Sequence, residues 1–252
     1  LKSSHRKQSL SKMNAEKKDH TIELEGITKE FSGFVALNDI STRIHSGEMI
    51  GLIGENGAGK STFVNILSGV FQQSAGTIRI DGEETRFYSP KDSQNAGIGV
   101  IHQHYSLISE LDISQNLFYN HEPQKWGFVR RKLMLVKAKK LMDSFGLNIP
   151  VTTKIYQLTV GQRQMIEVVK ATISDPWLLI MDEPTSSLSK VESERLYELI
   201  DQVQKRNVAI IYISHKMAEI FKLCHRALVL RDGCLVGEVN DLADITEDGL
   251  VN

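Results

Sequence analysis

Gly54-Glu55-Asn56-Gly57-Ala58-Gly59-Lys60-Ser61-Thr62 decides the fold of this chain. The stretch has the spacing G-x-x-x-x-G-K-S/T and stands between a short apolar run with strand character at 49–53 and an amphipathic helical pattern at 63–67. Glycines let the backbone curl until several N–H groups point to one place, and the start of a helix adds partial positive charge there. A strand, a glycine-rich bend and a helix in this order predict a phosphate-binding loop.

Side chains in and beside the bend complete the predicted phosphate site. The Lys60 amine is expected to reach the β- and γ-phosphates of a nucleotide, and the Ser61 hydroxyl to hold Mg²⁺. We expect the other nucleotide contacts of the bend to come from Gly54, Asn56, Gly57, Gly59 and Thr62. The bend therefore predicts a site for a nucleotide together with a magnesium ion.

The bulk composition is that of an ordinary globular protein. The 252 residues are 41% hydrophobic and 24% charged, and the formal net charge of −1 gives no global basic surface for nucleic acid. Cys224 and Cys234 form no C-x-x-C pattern, which favours a reducing compartment without disulfides. No apolar run approaches the ~18–20 residues of a membrane helix, so a membrane process would need another chain for its membrane part.

Both ends of the sequence differ from the rest. Residues 1–20 are rich in Ser, Lys and Arg without an apolar signal region, which favours a flexible extension or an expression remnant, with the natural start near Met13. At the other end, Thr246 is placed to cap a helix with acidic residues in its first turn. We therefore expect residues 241–252 to be the start of a C-terminal helix or linker that is cut short.

Strand and helix patterns alternate along the chain. Strands are predicted at 21–27, 40–45, 49–53, 77–83, 98–101, 177–181, 208–213, 227–230 and 235–239. Helices are predicted at 132–145 with Gly146 as C-cap, 161–172, 191–205 and 216–223, and the whole segment 111–156 is polar and helical in pattern. The Asp-Gly pairs at 81–82 and 232–233 mark hairpin turns. This alternation predicts a parallel α/β core with antiparallel additions near both ends.

A pair of acids ends the predicted buried strand at 177–181. Asp182 at the strand tip is expected to hold the Mg²⁺ shell, as in a Walker B arrangement, and Glu183 to polarise the attacking water as a general base. The alternative is a strand-end carboxylate that only caps the next helix. The phosphate-binding loop upstream favours the catalytic interpretation.

Polar residues after two other strands extend this predicted site. His215 follows the strand at 208–213, where an imidazole can hydrogen-bond the γ-phosphate and orient Glu183. Gln103 follows the strand at 98–101, where a neutral amide can ligate Mg²⁺ or the attacking water and leave easily. The neighbouring His102 and His104 have no nearby third ligand, so we interpret them as ordinary loop residues.

Leu158-Thr159-Val160-Gly161-Gln162 precedes the predicted helix at 161–172. Thr159 is a suitable N-cap, and Gly161 permits close approach of another backbone or ligand. A helix N-terminus that carries a hydroxyl is a second anion site, but it is equally compatible with a plain capped helix. These residues alone leave both alternatives open.

The order of these motifs resembles the ATP-binding cassette (ABC) family of ATPases over residues 21–240. The resemblance is carried by GENGAGKST, Gln103, LTVGQRQ, LLIMDEPTSSLS and ISH. The strings ITKEF, VIHQ, QMIE and ISHKMAEI are similar to the N-terminal cassette of tandem-cassette monosaccharide importers of the galactose and ribose type. The resemblance implies an α/β fold with a P-loop NTPase (RecA-like) core, an antiparallel β subdomain and an inserted α-helical subdomain at about 111–172.

The resemblance also implies roles for individual residues. Phe31 would stack on the adenine of ATP, and Gln103 would couple the ATP site to the transmembrane partner. Thr159, Gly161 and Gln162 match the signature motif, which would contact the γ-phosphate held by an opposite cassette. Two positions depart from the usual family pattern: Val160 replaces a glycine of the signature, and Ser189 stands where many cassettes carry an aspartate.

The implied function is to bind and hydrolyse ATP with Mg²⁺ and so to energise a membrane importer for a simple sugar. The implied partners are transmembrane permease subunits, a second cassette that is covalently linked or dimeric, and, indirectly, a periplasmic or extracellular sugar-binding protein, without nucleic acid. The expected location is peripheral, on the cytoplasmic face of the cell membrane. The alternatives are a soluble cassette ATPase that acts on ribosomes or DNA, and a nucleotide-binding regulatory module without turnover.

Overall fold

The structure is a computed structural model that describes residues 19–102 and 106–244. Its strands are β1 (Thr21–Phe31), β2 (Phe34–His45), β3 (Met49–Ile53), β4 (Ala75–Ile80), β5 (Glu83–Thr85), β6 (Ile98–Ile101), β7 (Gln124–Lys125), β8 (Phe128–Val129), β9 (Leu178–Asp182), β10 (Ala209–Ile213), β11 (Arg226–Arg231) and β12 (Cys234–Val239). Its α-helices are α1 (Lys60–Leu67), α2 (Pro90–Asn95), α3 (Ile113–Leu117), α4 (Arg131–Ser144), α5 (Val160–Ala171), α6 (Lys190–Gln204) and α7 (Met217–Leu223). Short 3₁₀ turns lie at Ile155–Gln157, Thr172–Ser174 and Leu242–Asp244.

A six-stranded sheet forms the centre, in the order β12-β11-β3-β10-β9-β6. All its neighbours pair in parallel except β11 and β12, which form an antiparallel hairpin at one edge. β9 and β10 are apolar along nearly their whole length and buried, as expected for parallel strands that are covered on both faces. The predicted parallel core is therefore confirmed.

Each face of this sheet has its own core. Residues of α1 and of the antiparallel sheet pack on one face, together with side chains such as Leu52 and Ile180. Residues of α5, α6 and α7 pack on the other face with side chains such as Leu179 and Tyr212. Successive residues of a strand point to opposite faces, so β9 contributes to both cores. The two cores therefore enclose the central sheet and hold its carboxyl edge in place between them.

A four-stranded antiparallel sheet, in the order β2-β1-β4-β5, covers one side of the core. The predicted strands at 21–27 and 40–45 are too short: β1 runs to Phe31 and β2 begins at Phe34. The β1–β2 pairing shifts register between Leu24 and Ile27, and Gly26 there has a φ of +62°. Such bulges break the alternation of apolar and polar residues on which the strand prediction depends.

Residues 111–172 contain α3, α4 and α5, as the helical pattern predicts. Gly146, just beyond α4, has a φ of +67°, which confirms the predicted glycine stop. The segment also holds a small hairpin, β7–β8, that the sequence pattern did not predict. Its strands have two residues each, too few to show a period.

The ends of the chain and one internal segment lie outside the described residues. Among these are the predicted extension before residue 19, the cap at Thr246 and the candidate ligand Gln103. Within the described part of the chain, no helix is both long enough and apolar enough to cross a membrane.

Candidate nucleotide-binding site

Parallel pairing brings three loops to one edge of the central sheet. Ile213, the last residue of β10, pairs with Leu52 of β3 on one side and with Asp182 of β9 on the other. The glycine-rich bend follows β3, Glu183 follows β9, and His215 lies just beyond β10. The carboxyl edge of an α/β sheet is where such folds bind their ligands.

The backbone of the bend has the form that an anion site requires. Gly57 has a φ of +88° and open space where a Cβ would stand, whereas a Cβ on Gly59 would meet the Ala36 carbonyl oxygen at 2.8 Å. Gly59 is the N-cap of α1 and offers no side chain to the first N–H groups of that helix. These amides are therefore left for a ligand. The other predicted contacts, Gly54, Asn56, Ser61 and Thr62, lie in the bend or in the first turn of α1.

Lys60 is folded back onto the bend. Its Nζ donates hydrogen bonds to the carbonyl oxygens of Gly54 at 2.5 Å and Glu55 at 2.9 Å. Burial lowers the pKa of this amine, while the nearby charges of Glu183 and Asp182 oppose that shift. The lysine thus lies close to both acids, as the predicted site requires.

Asp182 has the environment of a cation ligand. Burial raises the pKa of its carboxyl group, and the charge of Glu183 raises it further. A divalent cation would offset both effects, and the oxygen atoms of Asp182 and Ser61 are the kind of donor that Mg²⁺ prefers. The described residues contain no group of three His, Cys, Asp or Glu side chains that could hold a metal. These residues therefore fit Mg²⁺ if phosphate oxygens supply the other ligands.

Glu183 and His215 are in direct contact. His215 Nε2 lies 2.5 Å from Glu183 Oε1. Glu183 has a φ of +47°, uncommon for a residue other than glycine, and its N–H donates to the Ile213 carbonyl oxygen at 3.0 Å. Strained backbone of this kind persists only where the surroundings hold it, and it clusters at functional sites. The carboxylate is thus held where an imidazole can orient it.

His102 lies nearer to the site than the sequence reading suggested. His102 opposes the rise in the pKa of the Asp182 carboxyl group. The interpretation of His102 as an ordinary loop residue did not use its position directly after β6. Since β6 pairs in parallel with β9, the residue after β6 must lie near the end of β9. Gln103, the next residue, is outside the described part.

Phe31 ends β1, in the antiparallel sheet, and is 38% exposed. Its ring meets the edge of Phe71 with 5.2 Å between ring centroids, and Lys29 Nζ lies 4.8 Å from its centroid. Phe71 follows α1, so the contact links the antiparallel sheet to the helix of the phosphate-binding bend. The role of Phe31 in adenine stacking remains a prediction.

The N-terminus of α5 carries the predicted cap. Thr159 Oγ1 accepts a hydrogen bond from the Gln162 N–H at 3.2 Å, and Gln162 Oε1 accepts one from the Thr159 N–H at 3.0 Å. This reciprocal pair is a capping box, so the predicted N-cap is confirmed. Thr159 Oγ1 donates a hydrogen bond to Glu192 Oε1 at 3.3 Å, and the same carboxylate lies against Gly161.

The Glu192 carboxylate thus lies at the start of α5, although it belongs to α6. A Cβ on Gly161 would meet Glu192 Oε1 at 2.6 Å, so a larger residue would displace the carboxylate. Ser189, the N-cap of α6, donates to Glu192 Oε2 at 2.8 Å and forms a second capping box. Ser189 therefore has a structural role in place of the usual aspartate, whereas nothing in the structure explains Val160, which is 38% exposed.

The fold and the site define a nucleotide-binding α/β protein with a phosphate-binding loop, and comparison with known proteins gives its family. Residues 37–186 match the family model described as ABC transporter. They make up more than half of the chain, so the chain belongs to this family.

Curated relatives extend this match over most of the chain. The ribose import ATP-binding protein RbsA of Clostridium perfringens (strain 13 / Type A) is 41% identical over 232 residues, which cover 91% of this chain and 46% of that protein. The arabinose import ATP-binding protein AraG of Rhizobium johnstonii is 39% identical over 231 residues, which cover 92% and 46%. The chain spans about half the length of the curated relatives it matches.

Solved structures confirm the predicted fold class. A nucleotide-free ATP-binding cassette from an ABC transporter superposes with a TM-score of 0.81 at 21% identity, covering 92% of this chain and 96% of that one. The cassette MJ0796, solved as a dimer in a post-hydrolysis state with ADP and Pi, gives a TM-score of 0.73 at 21% identity, covering 88% and 98%.

Proposed function

We propose that this chain binds and hydrolyses ATP and thereby energises the import of a simple sugar through a membrane permease. The observation that carries the proposal is the 2.5 Å contact between His215 and Glu183 beside Lys60 and Asp182, at the open end of the phosphate-binding loop. The names of the relatives, ribose and arabinose import ATP-binding proteins, support sugar as the cargo.

The residues divide the chemistry between them. The amides at the start of α1 and the Lys60 amine bind the triphosphate, and Phe31 stacks on the adenine. Asp182 and Ser61 would hold Mg²⁺, which when bound would neutralise charge that develops on the phosphates. Glu183 accepts a proton from the attacking water, while His215 keeps that carboxylate oriented. The chain thus supplies the side chains proposed for phosphate binding, metal binding and proton transfer, and the contact from a signature motif comes from a second cassette.

The signature residues Thr159, Gly161 and Gln162 act on a second cassette. They bind the γ-phosphate that the other cassette holds, so ATP favours a closed pair and hydrolysis releases it. The dimeric MJ0796 structure supports the idea that cassettes of this fold pair. The second cassette is either part of the same protein or a separate copy.

The permease contacts the helical part of the chain at about 111–172, within an ATPase domain at 21–240. A cavity of about 600 Å³ lies between this part and the core, and its lining includes His102, Leu117 and Glu167. Glu167 and Lys170 on α5 both hold the hydroxyl of Ser106, each at 2.9 Å. Ser106, three residues after Gln103 in the sequence, is thereby connected to the signature helix, and this contact supports the proposed coupling role for Gln103.

This assignment places the protein on the cytoplasmic face of the cell membrane as a peripheral subunit. The permease and, indirectly, an extracytoplasmic sugar-binding protein select the cargo. In this proposal, the choice between ribose, arabinose and other sugars belongs to those partners.

Reconstitution tests the proposal. The protein is combined with its permease and binding protein in vesicles, and uptake of labelled ribose and arabinose is measured with Mg-ATP inside or outside. We expect ATP-dependent uptake of one sugar, and loss of uptake in Glu183→Gln with the complex still assembled. Co-purification with ribosomes or DNA without permease, or binding of ATP without any turnover, would contradict it.

A further inference from the structure

A buried carboxylate connects the two loops that carry Glu183 and His215. Glu219 lies in the first turn of α7 and is only 5% exposed. Its carboxylate accepts hydrogen bonds from three hydroxyl groups at 2.7–2.9 Å. The donors are Thr185, Tyr212 and Ser214. Buried carboxylates of this kind are satisfied only when several donors converge on them.

The donors come from both loops of the candidate site. Thr185 lies two residues after Glu183, and Ser214 immediately precedes His215. Lys216, immediately after His215, pairs with Glu219 Oε1 at 3.1 Å. Its Nζ also donates to the Thr185 carbonyl oxygen at 3.3 Å, and its N–H donates to Ser214 Oγ at 3.1 Å. One carboxylate therefore fixes residues next to both members of the Glu183–His215 pair.

Helix stabilisation alone does not account for this arrangement. An acid in a first turn interacts well with the helix dipole even when it is exposed. Burial acts to raise the pKa of Glu219, but its hydrogen bonds, those from Thr185 and Tyr212 first, together hold the pKa below its ordinary value. The charge is thus retained inside the protein by groups of the two neighbouring loops and by Tyr212 of β10.

We propose that Glu219 is a positioning residue for ATP hydrolysis, which sets the separation of Glu183 and His215 by holding Thr185 and Ser214. The proposal rests on the proposed function. Glu183 has a backbone conformation that costs energy, with a φ of +47°, and so needs neighbours that hold it. Misplacement of a reacting group by about 1 Å can lower a rate about a hundredfold. In this role Glu219 acts through Thr185 and Ser214 and takes no part in the proton transfer itself.

The test compares Glu219→Gln with the matched control Glu194→Gln in the reconstituted transporter. Glu194 lies on α6 in an exposed ion pair with Lys222 of α7, so its change removes the same charge nearby. Glutamine keeps the shape of Glu219 but offers one acceptor oxygen and loses the ion pair to Lys216. We expect kcat to fall about tenfold or more with the Kd for ATP within about twofold, since only the hydrolytic geometry changes. In the Glu194→Gln control, we expect both kcat and the Kd for ATP to stay unchanged.

A purely structural role would give a different pattern. The melting temperature and kcat would then both fall, and the Kd for ATP would rise. Should Glu219→Gln fail to fold, Ser214→Ala removes one bond on the His215 side and is expected to give a smaller loss of kcat with unchanged ATP binding. Unchanged kcat in either folded variant overturns the role of Glu219. A wild-type protein that fails to hydrolyse ATP overturns the proposed function instead.

Discussion

The N-termini of the helices α1 and α5 both favour anions, but different groups surround them. The start of α1 has a glycine N-cap without a side chain to offer, and its nearby carboxylates belong to the catalytic candidates. The start of α5 has a threonine cap and already binds the carboxylate of Glu192. The first amides of α1 therefore have no side-chain cap, whereas the start of α5 has both a threonine cap and a carboxylate of the same chain beside it.

This difference indicates the order in which the two sites can act. A triphosphate can enter the bend before α1 without displacing a protein group other than the Lys60 side chain, which now bonds to backbone oxygens. A phosphate that reaches the start of α5 would meet the Glu192 carboxylate, which bonds the Thr159 hydroxyl and lies against Gly161. We therefore expect nucleotide binding to be a property of one cassette, and closure of two cassettes to include a local exchange of anions.

The largest expected effect concerns turnover at the first site. Glu183→Gln should lower kcat about a thousandfold, as is typical when a general base is removed, and leave ATP binding nearly unchanged. Single-turnover hydrolysis and equilibrium ATP binding measure the two properties. Near-normal hydrolysis by the variant would exclude Glu183 as the base.

Loss of Lys60 should affect binding itself. Lys60→Ala removes a charged donor to the phosphates, so we expect the Kd for ATP to rise about 30–100-fold in titration calorimetry. Lys205→Ala is a suitable control because Lys205 forms only an exposed ion pair with Asp201. Equal weakening in both variants would show that general charge, rather than position at the bend, governs affinity.

Glu192→Gln tests the second site. The glutamine amide still accepts a hydrogen bond from Ser189, the N-cap of α6, but it carries no charge to repel an incoming phosphate. ATP-driven pairing of cassettes should therefore strengthen about 3–10-fold. Sedimentation in ATP, in the Glu183→Gln background, measures this pairing. Weaker pairing would mean that Glu192 contributes to the interface instead of occupying the anion site.

The smallest effect concerns stability without nucleotide. Because the pKa of Asp182 is raised in the folded protein, its ionised form destabilises the fold above that pKa, and the cost disappears as the pH falls toward the unfolded value. Asp182→Asn should therefore raise the melting temperature by about 1–3 °C at neutral pH and by less in acid. Thermal unfolding between pH 4 and 8 checks this. A lower melting temperature at pH 7 would contradict it.

Local sequence signals predicted the parts of the site that follow directly from strands. Asp182, Glu183 and His215 each stand at or just after an apolar run, and parallel strands carry such residues to one edge. The same logic applied to His102 would have placed it near Asp182. By contrast, the bulge at Gly26 and the short hairpin at 124–129 leave no regular period, so the extents of β1 and β2 and the hairpin itself were not predicted.

The sequence by itself determined the family, the parallel core, the phosphate-binding bend and the strand-end positions of Glu183 and His215, because each depends on a short run of neighbouring residues. Only the tertiary structure decided that Glu183 and His215 touch, that Glu219 holds both of their loops, and that Glu192 lies on the start of α5. Apart from the bond between Ser214 and Glu219, these contacts join residues more than thirty positions apart along the chain. Their geometry is set by how the helices pack on the sheet, which no local pattern encodes.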